Sequence, residues 1–215
     1  FEWSGYVPFE EMPYLYNPPE GYISTANNKT IGNEFPYYIS GLWADPSRSS
    51  RIKEVLEEDT KFSLEDMKSL QLDLTSNYSK EILPAILKNA GTYENPIINR
   101  AIQFLNDWNH VESIDSEGTL IFHSISNEII RNIYYDELSL LGDKYFETYI
   151  GLKYITKRNL RRILKSHTNK WVDDIRTPNK HETRDEIITK SIESGIQKVV
   201  DTYGPNCSNW KWGSA

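Results

Sequence analysis

Asp45-Pro46-Ser47-Arg48-Ser49-Ser50-Arg51-Ile52-Lys53-Glu54-Val55-Leu56 is where the chain changes its period. Asp45 is a favoured N-cap, and Pro46 suits a first helical position because the N–H it lacks would be unpaired there anyway. Ile52, Val55 and Leu56 then recur at helical spacing, so a helix is expected from about residue 45. A second start signal follows in Ser63-Leu64-Glu65-Asp66, a capping-box pattern with Asp66 where Glu is usual. Met67, Leu70 and Leu74 continue it at spacings of three and four, and the helix is expected to run to Pro84. Further helices are predicted at about 94–108, 117–140, 143–167 and 181–203. From residue 45 onward the chain reads as one helical lobe, 45–215.

Upstream of Asp45 the pattern is different. Five of the 10 prolines precede residue 37, and each fixes its own backbone angle and pushes its predecessor toward extended geometry. Residues 1–44 are therefore expected to form an extended lead-in, with a short strand at 21–26 and a turn at 27–33. The fold class predicted is mainly α, with an irregular, short-strand N-terminal segment.

Composition narrows the function. The chain has 215 residues and a net charge of −7, which argues against the broad phosphate attraction of a non-specific nucleic-acid binder. No apolar run approaches the ~18 residues of a membrane-spanning helix, so no membrane partner is expected. A lone cysteine, Cys207, removes any intrachain disulfide framework. No basic-then-apolar leader is present, and the ends, Phe1-Glu2-Trp3 and Trp212-Gly213-Ser214-Ala215, give the expectation of a piece cut from a longer chain.

Most site chemistry is missing. His110, His123, His167 and His181 share no metal-ligand spacing, and His181-Glu182-Thr183-Arg184-Asp185 has Asp185 where a zinc-protease helix needs its second histidine. There is no nucleophile elbow, phosphate loop or dinucleotide fingerprint. The basic run 157–165, interleaved by Leu160, Ile163 and Leu164, fits an amphipathic helix lying on a core, with cations near its C-terminal end.

The lead-in carries a motif of another kind. Trp3-Ser4-Gly5-Tyr6-Val7-Pro8-Phe9-Glu10-Glu11-Met12-Pro13 is followed by Asn17-Pro18-Pro19-Glu20-Gly21-Tyr22-Ile23 and the pair Asn27-Asn28. Trp43, Arg48 and Arg51-Ile52 come next, then Phe62-Ser63-Leu64-Glu65-Asp66-Met67 with Gln71 and Asp73, and the chain closes on Trp210-Lys211-Trp212-Gly213. In that order these stretches resemble the β chain of the penicillin acylase (penicillin amidase) family of N-terminal-nucleophile hydrolases. Residues 90–195 match it in helical character alone.

The resemblance implies an αββα parent cut from a precursor, whose new N-terminal serine attacks a carboxamide with its own α-amine as base. The products are a carboxylic acid and an amine. It implies as partners the α chain and remaining β-chain sheet of the same precursor, and a small amide substrate. It is compatible with an extracytoplasmic parent. The serine lies outside this sequence, so the chain alone is expected to be inactive. Asn27 matches the family's oxyanion-hole asparagine, and Arg48 the arginine beside that asparagine and the serine amine. Read without the family, Asn27 is a turn residue and Arg48 a first-turn arginine poorly placed for the helix dipole. Asn28 is expected to be structural. The family's calcium is not carried over, because Phe35-Pro36-Tyr37-Tyr38-Ile39 offers no acid at the expected place and Glu34 is the nearest carboxylate; no cofactor is expected. The competing reading is a free-standing helical interaction module.

Overall fold

The computed structural model describes residues 2, 5–58, 61–166 and 169–215. Trp3 and Ser4 of the opening motif, and His167, lie outside them. The chain is 58% helical, with eight α-helices and no sheet among the described residues. One isolated antiparallel bridge joins Thr75 and Val111. The chain divides into two compact units, Phe1–Gln71 and Leu72–Ala215.

The N-terminal unit holds a short 3-10 turn at Phe9–Glu11 and two helices, α1 (Ser47–Glu58) and α2 (Leu64–Gln71). Asp45 marks the start of α1 as its sequence suggests: its Oδ1 accepts the Ser47 N–H at 3.0 Å. At α2 the capping box forms, with Asp66 Oδ2 accepting the Ser63 N–H at 2.8 Å and Ser63 Oγ accepting the Asp66 N–H at 3.2 Å. Residues 21–26 make no strand; they have no ladder partner, and a strand needs a neighbour to take its backbone groups.

The C-terminal unit contains α3 (Asn77–Lys88), α4 (Pro96–Asp107), α5 (Glu117–Ser139), α6 (Asp143–Gly151), α7 (Lys153–Lys165) and α8 (Arg184–Tyr203). Its core is built on α5, which is buried over most of its circumference: Ile121, Phe122, Ile125, Ile129 and Ile133 are all essentially inaccessible. Each such side chain contributes about 1.5–3 kcal/mol by leaving water. The partner is α8, through Ile187, Ile188, Ile192, Ile196 and Val199. The two helices approach so closely that a Cβ at Gly195 would lie 2.8 Å from the Ile125 Cα. Ser124 Oγ donates to the Gly195 carbonyl at 2.8 Å, and Asn132 Nδ2 to Ser191 Oγ at 2.9 Å, which pairs the polar groups buried by that contact.

Three helical expectations change. The helix expected to reach Pro84 breaks after Gln71. Thr75 N–H bonds Asp73 Oδ1 at 2.7 Å and Ser76 caps α3, so polar side chains capture the backbone that would have continued. Leu74 consequently lies outside any helix and is half exposed. Pro84 does not end α3 but sits inside it, on its exposed face, where losing one backbone bond costs least. The 143–167 helix is two, broken at Leu152, which caps both. The last helix starts at Arg184, because Thr183 and Glu186 close a reciprocal capping box.

Candidate active site

Asn27 occupies the left-handed region at φ 61°, a conformation asparagine tolerates better than most residues. Three bonds fix it there. Its carbonyl accepts the Ala44 N–H at 2.8 Å, tying the bend to the residue just before α1. On its N-terminal side, the Ala26 N–H donates to Asn28 Oδ1 at 3.0 Å, while Asn28 Nδ2 donates to the Lys29 carbonyl at 3.1 Å. Asn28 thus locks the bend by bridging its two sides. Ala26 and Ala44 are buried at the crossing, and so are Asp45 and Ser49, so only small or short side chains fill it.

Arg48 reaches the same place from the first turn of α1. Its Nη2 donates to the Ala26 carbonyl at 2.8 Å and to Asn27 Oδ1 at 3.0 Å. With its amide oxygen held by a cation, Asn27 must direct its Nδ2 hydrogens the other way. Both residues are exposed, so those hydrogens face a space this chain leaves open. A second tie, Tyr22 Oη to Glu57 Oε1 at 2.7 Å, joins the extended segment to the far end of α1; that bond raises the Tyr22 phenol above its ordinary pKa. The arrangement can present one neutral, oriented N–H donor beside a fixed positive charge.

The closing motif is packed into the C-terminal unit. Trp210 is fully buried and its indole N–H donates to the Gly204 carbonyl at 2.9 Å. Trp212 stacks on His123 with ring centroids 4.7 Å apart, and the Gly213 N–H meets the Ile114 carbonyl at 2.7 Å. A Cβ at Gly213 would come within 2.9 Å of the Ile114 Cβ, which gives that glycine a steric reason.

The three histidines among the described residues have protein partners. His110 Nδ1 lies 2.9 Å from Ser79 Oγ, and burial, with Lys80 second, lowers its pKa. His123 pairs with Glu112 at 3.2 Å. His181 sits 3.0 Å from the Asp173 carboxylate, which raises its pKa, and the neighbouring Glu182 accepts the Asp174 N–H at 3.1 Å.

The penicillin amidase family model matches residues 1–215, the whole chain. The chain belongs to the penicillin amidase family. It is 24% identical over 228 residues to an acyl-homoserine lactone acylase, QuiP, of Pseudomonas fluorescens (strain Pf0-1), covering 99% of this chain and 28% of that protein. It is 36% identical over 75 residues to the penicillin acylase 2 proenzyme of Pseudomonas sp. (strain SE83), 35% of this chain and 10% of that protein. A penicillin G acylase of Escherichia coli matches at 23% over 125 residues, 55% of this chain and 14% of that one. The chain therefore spans little more than a quarter of the length of the acyl-homoserine lactone acylase it matches end to end.

In this member of the penicillin amidase family, Asn27 and Arg48, singled out in the sequence 21 residues apart, are in direct contact. Three supports escaped the sequence reading: the Ala26 carbonyl, the Ala44 N–H and the Tyr22–Glu57 tie. Backbone groups leave no trace in residue identity. The Tyr22–Glu57 pair is separated by 35 residues, beyond any local periodicity.

Proposed function

We propose that this chain is the part of an amide-cleaving acylase that supplies the side-chain oxyanion donor, Asn27. The observation that carries the reading is the pair of hydrogen bonds donated by Arg48 Nη2 to the Ala26 carbonyl and Asn27 Oδ1, which fixes which way the Asn27 amide faces. In the proposed reaction a serine from outside these residues attacks the carbonyl carbon of a carboxamide. The carbonyl π pair moves onto oxygen, and that oxyanion takes a hydrogen bond from Asn27 Nδ2. The serine hydroxyl's proton passes to the serine's own α-amine on attack and from there to the leaving nitrogen as collapse breaks the C–N bond, and water then releases the acid from the acyl-enzyme. Arg48 does not touch the oxyanion in this scheme. It holds the acceptor end of the amide and polarises it, so the donor costs no reorganisation when charge develops.

On this reading the other partner is the rest of the same precursor. Tyr6, Phe9, Tyr14, Tyr16, Tyr38 and Leu42 are all more than 70% exposed in the N-terminal unit, a density of apolar surface that suits an interface rather than water. A free-standing interaction module explains the helices but gives no reason for the Arg48–Asn27 bond.

Asn27→Ala in the intact protein tests it. The expected result is a kcat reduced about 10²–10³-fold, with KM moving less and stability lowered only by the roughly 1–2 kcal/mol that alanine costs at a positive φ. An unaltered kcat with lowered stability would assign Asn27 to the bend alone.

A further inference from the structure

A cavity of about 600 Å³ opens in the C-terminal unit between α5, α6, α7 and α8. Its volume falls within the roughly 300–1,000 Å³ of small-molecule sites. Leu120, Ile130, Phe146, Ile150 and Val199 supply an apolar lining. Arg131, Lys153, Lys157 and Lys198 supply four cations against a single carboxylate, Glu128, in a chain whose net charge is −7.

Most of that positive charge is already engaged. Glu128, buried on α5, pairs with Lys198 and lies 3.8 Å from Arg131. The Arg131 guanidinium also stacks over Phe146 at 5.0 Å. Lys157 sits 4.9 Å over the Tyr78 ring, in the field of Glu112. Lys153, one turn earlier on α7 and exposed, is the cation in this lining that has no partner among the described residues. A second group is also unmatched: Ser126 lines the cavity, is 95% buried, and its Oγ has no hydrogen-bond partner. Buried hydroxyls are seldom left so.

We infer that this cavity binds an amphiphilic organic monoanion, its apolar body against Phe146 and Ile150 and its single negative charge at Lys153. One charge is assigned because one cation lacks a partner. An apolar body is assigned because the lining offers more hydrocarbon than donors.

Calorimetric titration of the intact protein with sodium decanoate, and with decyltrimethylammonium as the cation of matched chain length, tests the assignment. Decanoate is expected to bind and the ammonium not to. Lys153→Glu should weaken decanoate at least tenfold, Lys153→Arg should keep it within about twofold, and rising salt should weaken it in the parent protein. Since Lys153 is exposed and outside the core, both variants should melt as the parent does. The inference is overturned if decanoate gives no heat at millimolar concentration, if the ammonium binds as tightly, or if Lys153→Glu leaves decanoate affinity unchanged.

Discussion

Between Tyr78 and Trp210 the buried apolar side chains form one continuous cluster, whereas among the described residues of Phe1–Gln71 the apolar ones buried as deeply are Ala26 and Ala44. The C-terminal unit is held by hydrocarbon: isoleucines from α5 and α8, with Phe122, Phe146 and Trp210 filling between helices. The N-terminal unit is held by polar geometry: Asp45 at the start of α1, Ser63 with Asp66, Asn28 across its own bend, and Arg48 on Ala26 and Asn27. A hydrogen bond contributes about 0.5–1.5 kcal/mol net when neutral and about 1.5–3 when one group is charged, so each tie is at most worth one buried isoleucine, of which the C-terminal unit has many. The difference separates tasks. Stability resides where side chains are large and the backbone regular, and the candidate chemistry resides where the backbone is specialised.

The strongest way to break that contrast is at the centre of α5. Ile129→Ala removes a side chain with no exposed surface and should cost about 2–5 kcal/mol. Melting should fall by roughly 2–4 °C for each kcal/mol in a unit of this size. A cost below 1 kcal/mol in chemical denaturation would mean that the cluster is not one cooperative core.

Arg48→Lys should do the reverse, reducing turnover with little effect on melting. Lysine keeps the charge, but its ammonium falls about one bond short of the Nη2 position and cannot hold the Ala26 carbonyl and Asn27 Oδ1 together. A loss of about tenfold in kcat, equivalent to ~1.4 kcal/mol, is expected in the intact protein. If melting drops while kcat stays constant, Arg48 is part of the scaffold rather than a positioning residue.

The same contrast explains what could be read in the sequence. Helices in the C-terminal unit were legible because burial on one or more faces imposes a period, as Leu160, Ile163 and Leu164 show on α7. Their breaks were less legible. The interruption at 72–76 depends on Asp73 and Ser76 bonding to nearby backbone, and the split at Leu152 is marked by Gly151 alone, an isolated glycine that a helical pattern also tolerates. In the N-terminal unit periodicity and caps located α1 and α2 but gave nothing about the bend at Asn27. Asn27 and Arg48 were picked out by motif resemblance, and on residue type alone they read as a turn and a surface charge. The strand expected at 21–26 shows the limit: strand propensity describes what a segment can pair with, and no pairing partner exists among the described residues.

The smallest effect sharpens the comparison from inside the hydrocarbon-held unit. Glu137, on the last turn of α5, is pushed up from an ordinary 4.5 to about 7, by burial first and by the adjacent Asp136 second. Asp136 is buried and its Oδ2 accepts the Ile175 N–H at 2.9 Å, while Arg176 grips Asp174 through two 2.7 Å bonds. The arginine lowers the Asp174 carboxyl to about 2, so Asp174 stays charged across the neutral range and adds to the field against Glu137. The sign follows from linkage. Because the folded state holds the Glu137 proton more tightly than the unfolded chain, stability from this group is full below pH 4.5. It is lost as pH rises from there to about 7, and is level beyond. Glutamine cannot ionise, so Glu137→Gln should melt close to the parent at pH 4 and higher at pH 8, by about 2–4 °C for a gain near 1 kcal/mol. Asp174 acts in the opposite direction and only below its unfolded value of 3.8, outside that window. Melting curves at the two pH values separate the outcomes: an equal shift at both would show that folding leaves the Glu137 pKa where it is in the unfolded chain, leaving the pH response of this unit to another group.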